Sequence, residues 1–521
     1  MKHRSPATRR AFVFRLPTRP PDLKKPNPFA IEILAPKVPQ GEGGHPPRHG
    51  ILNSAMPKPD TIVAISTPPG RGGIGIVRLS GPDALAIAQN LLALKQPLAH
   101  ANARFTRILD EANTTIDEAI VTAFLAPNSY TGEDLVEIAA HGSPVVLDHI
   151  VRRALTFGAR VAEPGEFSRR AFLAGRLDLT QAEAIHDLIA AQTLAQARTA
   201  AQQLGGALSR RIAPIKQQLV HLIAMLEAGM DFATGELDDV DTMPPTRIAA
   251  AISAIHAPLT ALAASFRFGS IQRSGIRLAL VGRPNAGKSS LFNRLLDRDR
   301  AIVTATPGTT RDTIEETFSL SGIPIHLIDT AGLNTAAAID EAEALGIARS
   351  REALADADLI LLIRDASELV ILGEAKDPPL DGATINPEAD LDPLLENRPT
   401  IRVRNKVDLL PEVPEHTADE IPTSALTGFG LDNLRAAILT HLRSGAAGSE
   451  EASLNNLRQY EAVAATLTAL DSAALANQNH LPHELLLVDL HAALTALDTL
   501  TGATTNDDIL VLIFSTFCIG K

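Results

Sequence analysis

The middle of the chain alternates short apolar runs with amphipathic stretches, a pattern typical of an α/β fold. Residues 276–281, 325–328 and 400–404 are short segments rich in apolar or β-branched residues, each about the length of a strand. Residues 289–296 carry apolar positions at helical spacing directly after a glycine-containing turn. We therefore predict an α/β domain between about residues 275 and 444.

The flanking segments follow different patterns. From residue 60 the sequence predicts an α+β module, with strands at 61–65, 75–79, 118–124 and 135–139 and a helix at 144–157. From residue 179 to about 268, and again from about 456 to 500, apolar residues recur every three or four positions and predict long amphipathic helices. The α/β domain thus interrupts a helical domain, an insertion that is tolerated when its two ends lie close together.

These patterns predict a multi-domain chain of class α/β and α. The segments are an N-terminal extension at 1–55, an α+β domain at 56–173, a first helical part at 174–274, the α/β domain at 275–444 and a second helical part at 445–521. Inside the α/β domain, residues 368–398 are rich in Gly, Pro, Asp and Glu and predict a long surface loop.

Composition narrows the class of protein. A chain of 521 residues with 45% hydrophobic content can form several cores. The sequence has no uninterrupted apolar stretch of about 18 residues, so we expect no membrane span. A single cysteine, Cys518, excludes an internal disulfide framework and favours a reducing cytoplasm.

The net charge of −12 is unevenly distributed. Residues 1–55 contain ten Lys or Arg and three Asp or Glu, a balance of +7, which leaves −19 for the remainder. This basic segment also holds ten prolines and predicts disorder. Three interpretations remain open: translation that starts at Met56, which we favour, a flexible tail, or an organelle-targeting segment.

Five short motifs follow one another in the α/β domain and indicate a guanine-nucleotide switch. They are GRPNAGKS at 282–289, TTRD at 309–312, DTAG at 329–332, NKVD at 405–408 and SAL at 424–426. The first fits a phosphate loop, in which backbone N–H groups surround the phosphates, Lys288 reaches the β and γ oxygens and Ser289 binds Mg²⁺. A glycine turn at a strand–helix junction would explain this motif alone, but it would not explain the other four.

The fourth motif selects the base. The carboxylate of Asp408 can accept two hydrogen bonds from the N1–H and 2-amino groups of guanine, and adenine offers neither donor. A buried acceptor left unpaired costs about 1 to 3 kcal/mol, so Asp408 should discriminate against ATP. The residues predicted to contact GTP are Asn285, Ala286, Gly287, Lys288, Ser289, Ser290, Thr304, Ala305, Thr306, Pro307, Gly308, Thr309, Thr310, Asp329, Thr330, Ala331, Gly332, Asn405, Lys406, Asp408, Ser424, Ala425 and Leu426.

The two central motifs predict the switch loops. Thr310 is the expected second hydroxyl ligand of Mg²⁺, and the Gly332 amide is placed to contact the γ-phosphate. The next residue is Leu333, at the position where Ras-type enzymes have the glutamine that orients the attacking water. Another group must then orient the water, and the acidic segment 339–346 either supplies it or is a solvated helix start.

Four further motifs resemble the tRNA modification GTPase MnmE family, also called TrmE. They are DTIVA with TPPGRGGIGIVR at 60–78, YTGED at 130–134, PGEFS at 164–168 and the terminal FCIGK at 517–521. The resemblance runs from about residue 60 to the end of the chain. It implies a Ras-like P-loop G domain inserted in a helical domain and preceded by a tetrahydrofolate-binding domain that mediates homodimerisation.

The resemblance also implies ligands and residue roles. Arg78, Glu137, Arg176 and Lys521 would line a site for a tetrahydrofolate derivative, either 5-formyl- or methylene-tetrahydrofolate. Potassium would bind at Asn285, Thr304, Thr306 and Thr309 and activate hydrolysis where two G domains meet. Alignment on the family motif E-x-x-G makes Glu343 the catalytic residue that orients water, with Lys288 also catalytic, and Glu341 as the alternative because this segment is two residues longer than expected.

As a family member, the protein would add a carboxymethylaminomethyl-type group to C5 of the wobble uridine of certain tRNAs. It would act in a heterotetramer with MnmG (GidA), and only that partner would carry FAD. The rival hypotheses are a ribosome-assembly GTPase of the Era or Der type, and a purely regulatory switch. Cys518 either acts in one-carbon transfer or packs as a small apolar residue that positions the tail, the interpretation we favour.

Overall fold

The computed structural model describes residues 60–233, 243–283, 285–299, 315–329, 357–367, 395, 398–412, 420–443, 453–503 and 507–520. The chain divides after Pro57, and all described residues belong to the second unit, Lys58–Lys521. Residues 1–55 and most of the predicted loop at 368–398 lie outside the described residues.

A six-stranded sheet forms the N-terminal module. Its strands are β1 Ile62–Ile65, β2 Gly72–Ser80, β3 Arg104–Leu109, β4 Thr115–Phe124, β5 Leu135–Gly142 and β6 Arg160–Val161, in the order β3-β4-β5-β2-β1-β6. All neighbours are antiparallel except β1 and β6, which are parallel. Helices α1 Ala84–Leu91 and α2 Pro144–Thr156 cover one face, and their apolar residues share its core.

Six helices lead from this module to the inserted domain. They are α3 Glu166–Leu173, α4 Leu179–Ala190, α5 Leu194–Leu204, α6 Ala207–Ala233, α7 Pro245–Ala264 and α8 Phe266–Ser274. Helices α4 and α5 each begin with a capping box, formed by Asp178 with Gln181 and by Thr193 with Gln196. A capping box satisfies two of the backbone N–H groups that a helix start leaves unpaired, and it fixes where these helices begin.

A second six-stranded sheet forms the inserted domain. Its strands are β7 Ile276–Val281, β8 Glu315–Leu320, β9 Ile323–Asp329, β10 Leu359–Asp365, β11 Thr400–Asn405 and β12 Glu420–Pro422, in the order β12-β11-β10-β7-β9-β8. Only β8 runs antiparallel to its neighbour. Helices α9 Lys288–Asp299 and α10 Leu431–Arg443 pack against the sheet, which confirms the predicted α/β fold class.

The chain then returns to the helical domain through α11 Leu457–Gln478, α12 His483–Thr501 and α13 Asp507–Ser515. Helices α11 and α12 share a core with α6 and α7, so residues on both sides of the insertion form one folded domain. Within the described residues, the span Pro245–Ser274 is long and apolar enough to cross a membrane. Its apolar residues Ile248, Ile252, Ile255, Leu259 and Leu262 are buried in this helical core.

Candidate functional site

The phosphate loop lies between β7 and α9, at the carboxyl edge of the parallel sheet. Its backbone is left-handed at Asn285, with φ 65°, and at Gly287, with φ 89°. The Lys288 side chain folds over the loop, and Nζ donates to the carbonyl oxygens of Gly282 and Arg283 at 2.9 and 2.8 Å. Because α9 begins at Lys288, its N-terminus faces the region that the loop encloses, a geometry suited to an anion.

Asn405 joins the phosphate loop to the base-recognition motifs. Its side chain is 1% exposed. Nδ2 donates to the Ala286 carbonyl at 3.0 Å, and Oδ1 accepts from the Ala425 amide at 3.0 Å. A Cβ on Gly287 would overlap Asn405 Nδ2, so glycine is required where the two motifs meet.

Lys406 and Asp408 follow at the end of β11. Lys406 has φ 65°, and its Nζ lies 2.7 Å from Asp365 Oδ2. Burial raises the pKa of Asp365, but hydrogen bonds from Lys406 and Ser367 outweigh it and hold the pKa below its ordinary value. Asp408 lies in a short 3-10 helix, Val407–Leu409, and is exposed.

The SAL motif forms a loop after β12 that contacts NKVD through the backbone. The Val407 amide donates to the Thr423 carbonyl at 3.2 Å, and the Thr423 amide donates to Arg404 at 2.7 Å. Ser424 is fully buried, and its Oγ accepts from the Thr427 amide at 3.1 Å. Leu426 is 81% exposed, so this loop presents an apolar side chain at the surface.

The structure therefore brings together part of the predicted nucleotide site. Ser289 and Ser290 are exposed in the first turn of α9, and the backbone of Asp329 is described at the end of β9. The remaining predicted residues lie outside the described residues: Thr304, Ala305, Thr306, Pro307, Gly308, Thr309, Thr310, Thr330, Ala331, Gly332, Glu341 and Glu343.

A second group of predicted residues meets on strands β2 and β5 of the N-terminal sheet. Arg78 Nε and Nη2 both donate to Glu137 Oε1, at 3.0 and 2.7 Å. The guanidinium also lies 5.7 Å from the Tyr130 ring centre and 5.6 Å from that of Phe167. A cation and a carboxylate beside aromatic rings suit a flat, nitrogen-rich ligand that carries acidic groups.

The C-terminal tail ends at this ion pair. The Gly520 carbonyl accepts from Arg78 Nη1 at 3.2 Å and from Ser66 Oγ at 3.0 Å. Gly520 has φ 95°, and a Cβ there would overlap the Ile65 carbonyl, so only glycine allows the tail to approach. Lys521 itself lies outside the described residues, but it is bonded to the residue that Arg78 holds.

Cys518 is exposed, so the expectation that its side chain packs as a small apolar residue is wrong, although its carbonyl accepts from the Gly165 amide at 3.4 Å. Arg176 is exposed and lies beside the loop at 130–134: a Cβ on Gly132 would lie 3.8 Å from Arg176 Cγ. The same loop carries Tyr130, whose ring centre lies 5.7 Å from the Arg78 guanidinium.

An ionic cluster that the sequence patterns did not predict holds this region together. Arg160 donates to Glu166 at 2.5 Å and to Asp60 at 2.5 Å, and Arg170 donates to Asp60, Glu133 and Glu166. Glu166 is 1% exposed. Burial raises its pKa, but hydrogen bonds from Arg160, the Glu163 amide and Arg170 outweigh it and lower the pKa. The sequence feature that could have indicated this cluster is the motif PGEFS, whose glutamate, Glu166, lies in the first turn of α3.

The same cluster orients Tyr130. Glu133 accepts from Arg170 at 3.0 Å and from Ser80 Oγ at 2.8 Å, which fixes the loop at 130–134 against β2. The Tyr130 hydroxyl lies 2.7 Å from Ser168 Oγ on α3. Burial raises the pKa of Tyr130, and the Ser168 bond and the Arg78 charge oppose it only in part. Tyr130 therefore stays neutral and keeps its ring beside Arg78.

Comparisons with known proteins match nearly all of this architecture. The family models described as "GTP-binding protein TrmE N-terminus" and "MnmE helical domain" match residues 61–176 and 179–518. The tRNA modification GTPase MnmE of Koribacter versatilis is 52% identical over 473 residues, which cover 89% of this chain and 99% of the relative. Those of Thiobacillus denitrificans and a Roseiflexus species are 43% and 42% identical and cover 90% and 89% of this chain.

The chain belongs to the MnmE family of tRNA modification GTPases. This confirms the resemblance drawn from the four flanking motifs, and it confirms the predicted class of enzyme, a GTP hydrolase. Use of a guanine nucleotide with Mg²⁺ follows from membership in an MnmE family of GTPases. Both MnmE flanking regions match family models, which favours this assignment over a ribosome-assembly GTPase with the same central motifs.

Proposed function

We propose that this MnmE-family GTPase uses GTP hydrolysis to drive modification of C5 of the wobble uridine in certain tRNAs. The observation that carries the proposal is the match to MnmE relatives over almost their whole length. It is supported by the Asn405 side chain, which joins the phosphate loop to the SAL loop, as a guanine-nucleotide site requires.

At the nucleotide site, each described residue has a role that its position supports. Lys288 lies at the start of α9, where its ammonium group can leave the loop carbonyls for phosphate oxygens. Ser289, exposed in the same turn, would hold Mg²⁺ together with Thr310. Asp408 would accept hydrogen bonds from guanine, and the exposed Leu426 would cover the base. Mg²⁺ supplies charge neutralisation at the phosphates when it is bound.

Potassium and a carboxylate would replace the missing glutamine. Asn285 is exposed in the phosphate loop and has a left-handed backbone. With Thr304, Thr306 and Thr309 it would offer the oxygen ligands that K⁺ requires. Bound K⁺ supplies positive charge near the phosphates. Glu343, or Glu341 if the alignment is shifted by two residues, would orient the water.

Paired variants test this catalytic assignment. GTP turnover is expected to be at least about tenfold faster in K⁺ than in Na⁺, since an added cation can act as an arginine finger does. Glu343→Ala is expected to abolish most hydrolysis while GTP binding persists, and Glu341→Ala is the matched control. Equal rates in the two salts would contradict the potassium role, and loss of hydrolysis in Glu341→Ala alone would reassign the carboxylate.

The N-terminal module would hold a tetrahydrofolate derivative, 5-formyl- or methylene-tetrahydrofolate. The pair of Arg78 and Glu137 supports this, because a carboxylate suits the amidine-like edge of a pterin and a cation suits the glutamate tail. Arg176 and Lys521 would add cations around the same ligand. Bound folate supplies the one-carbon unit of the modification, and these residues would bind and orient it.

The assembly we propose is a homodimer that acts in a heterotetramer with MnmG in the cytoplasm. FAD would reside on MnmG alone, and the added group would be of the carboxymethylaminomethyl type. Mass spectrometry of nucleosides from a deletion strain tests the function directly. Wobble uridines should lose the modification and regain it with the wild-type gene, and unchanged uridines would overturn the proposal.

A further inference from the structure

The hairpin of β8 and β9, here called the switch hairpin, connects the two switch motifs. Strand β8 begins three residues after Asp312, the last residue of TTRD, and β9 ends on Asp329, the first residue of DTAG. The strands pair in register from Glu315 with Ile328 to Leu320 with Ile323. The ladder is continuous, so it joins the strand ends nearest the two motifs to the turn at residues 321–322.

That turn packs against the first turn of α5 in the helical domain. Thr193 Oγ1 donates to the Gly322 carbonyl at 2.7 Å. Gly322 has φ 89°, and a Cβ there would lie 2.5 Å from the Cβ of Ala195. Thr193 is 9% exposed, so the two domains meet here in a close, largely dry contact.

The same helical turn holds the inbound crossing, the segment 273–275 where the chain enters the G domain. Gln196 Nε2 donates to the Arg273 carbonyl at 2.6 Å. Gln196 is also half of the capping box with Thr193, since its amide donates to Thr193 Oγ1 at 3.1 Å. Thr193 is therefore hydrogen-bonded to the residue that holds the crossing.

Asp187 on α4 connects the inbound crossing to the outbound crossing, residues 453–455, where the chain leaves the G domain. Its Oδ1 accepts from Arg273 Nε at 2.7 Å, and its Oδ2 accepts from Asn455 Nδ2 at 3.1 Å. A cavity of about 320 Å³ lies beside these contacts and is lined by Asp187, Arg273 and Asn455. The cavity gives these side chains room to rearrange when the hairpin shifts.

We propose that the contact between Thr193 and Gly322 is the positioning contact that transmits the nucleotide state from the switch hairpin to the helical domain. This inference rests on the proposed function, in which hydrolysis drives the modification. In the part of the chain that the structure describes, the side chain of Thr193 bonds to Gly322 and to the Gln196 amide, so we treat it as a positioning residue between the hairpin and the helical domain. Gln196 and Asp187 hold the two crossings, which serve as the hinge between the G domain and the helical domain.

Substitutions at Thr193 separate coupling from helix capping. Thr193→Asp keeps an acceptor for the Gln196 amide, because Asp is a good N-cap, but it cannot donate to Gly322 and places a carboxylate against its carbonyl. Thr193→Ser keeps both hydrogen bonds. Leu194→Asp is the matched control for charge, since Leu194 lies in the same turn and is 67% exposed.

The experiment uses the full chain with GDP or a non-hydrolysable GTP analogue. Hydrogen exchange at the α5 N-terminus is measured in both states, alongside GTP turnover and modification of tRNA. Wild type, Thr193→Ser and Leu194→Asp should show exchange that depends on the nucleotide. Thr193→Asp should lose this dependence, and its rate of tRNA modification should fall about tenfold. Its GTP turnover should stay within about twofold of the wild-type rate, as expected for one lost hydrogen bond remote from the chemistry.

Two results would overturn the proposal. The first is hydrogen exchange at the α5 N-terminus of the wild type that is the same with GDP and with the GTP analogue. The second is a Thr193→Asp chain that keeps both the nucleotide-dependent exchange and the wild-type rate of tRNA modification. If Thr193→Asp fails to fold, Ala195→Gln tests the same contact with the cap intact, because its longer side chain must displace Gly322. The exchange readout needs no tRNA. Absent tRNA modification with intact exchange coupling would therefore refute the proposed function and leave this inference standing.

Discussion

At the scale of single residues, Gly287 shows how tightly the two halves of the nucleotide site fit. Its φ of 89° is costly for any other residue, and a Cβ would overlap Asn405 Nδ2. We expect Gly287→Ala to lower GTP affinity at least about tenfold, or roughly 1.4 kcal/mol, because it disturbs both motifs at once. Titration with a fluorescent guanine nucleotide measures this.

Gly229→Ala is the control for that substitution. Gly229 lies inside α6, and a Cβ there meets nothing within 4 Å. The same chemical change should leave GTP affinity unaltered and raise stability by about 0.5 to 1 kcal/mol, the cost of glycine in a helix. Equal nucleotide affinity in the two variants would show that the contact of Gly287 with Asn405 does not shape the site.

At the scale of elements, helix α3 depends on the buried carboxylate in its first turn. Glu166→Gln leaves Arg160 and Arg170 with fewer acceptors. We expect it to lower the free energy of unfolding by about 3 kcal/mol at neutral pH, the low end for breaking a buried ion pair. The pKa of Glu166 in the folded chain lies below its ordinary 4.5. Its stabilisation is therefore complete above pH 4.5 and lost as the pH falls through the folded value.

Urea unfolding of the N-terminal module, followed at neutral and acid pH, checks this. The difference between wild type and Glu166→Gln should shrink as the pH drops below 4.5. Asp148→Asn provides the comparison, since Asp148 pairs with Arg152 on the exposed surface of α2. This substitution should change the free energy of unfolding by less than about 1 kcal/mol. A difference that does not change with pH would argue against the ionic role of Glu166.

The elements also show where sequence patterns are informative. Helix α2 was predicted almost to the residue because Pro144 begins it and its apolar residues keep helical spacing. Strands β3 and β8 were not predicted, because Arg104–Leu109 and Glu315–Leu320 mix charged, polar and apolar residues without the strict alternation that marks a strand. Their pairing with β4 and β9, which no local pattern encodes, decides their conformation.

The candidate site likewise has residues that sequence motifs identify and contacts that they do not. Lys288 and Asp408 are identified by motifs, because phosphate and guanine demand fixed residue types at fixed spacing. The bridge from Asn405 to Ala286 and Ala425 is a tertiary contact between segments 119 and 20 residues apart. The attachment of Gly520 to Arg78 spans 442 residues. Contacts of this kind depend on the completed fold, so only the structure reveals them.

At the scale of the whole molecule, the decisive feature is that the G domain is held at both of its ends. Gly269 on α8, just before the inbound crossing, packs against the outbound crossing. A Cβ there would overlap the Leu454 carbonyl and lie 3.0 Å from Ser453 Oγ. The Leu454 amide donates to Ser265 Oγ at 3.2 Å, so the outbound crossing is held against the first residues of α8.

Gly269→Ala should therefore loosen the junction without touching the nucleotide site. We expect it to cost about 1 to 3 kcal/mol, as overpacking of a buried position does, and to raise hydrogen exchange in α8 and at residues 453–456. GTP affinity should stay at the wild-type value. Gly229→Ala again supplies the matched control, because it adds the same methyl group to a helix in open space. If exchange at the two crossings is the same in both variants, the close approach at Gly269 does not fix the G domain to its host.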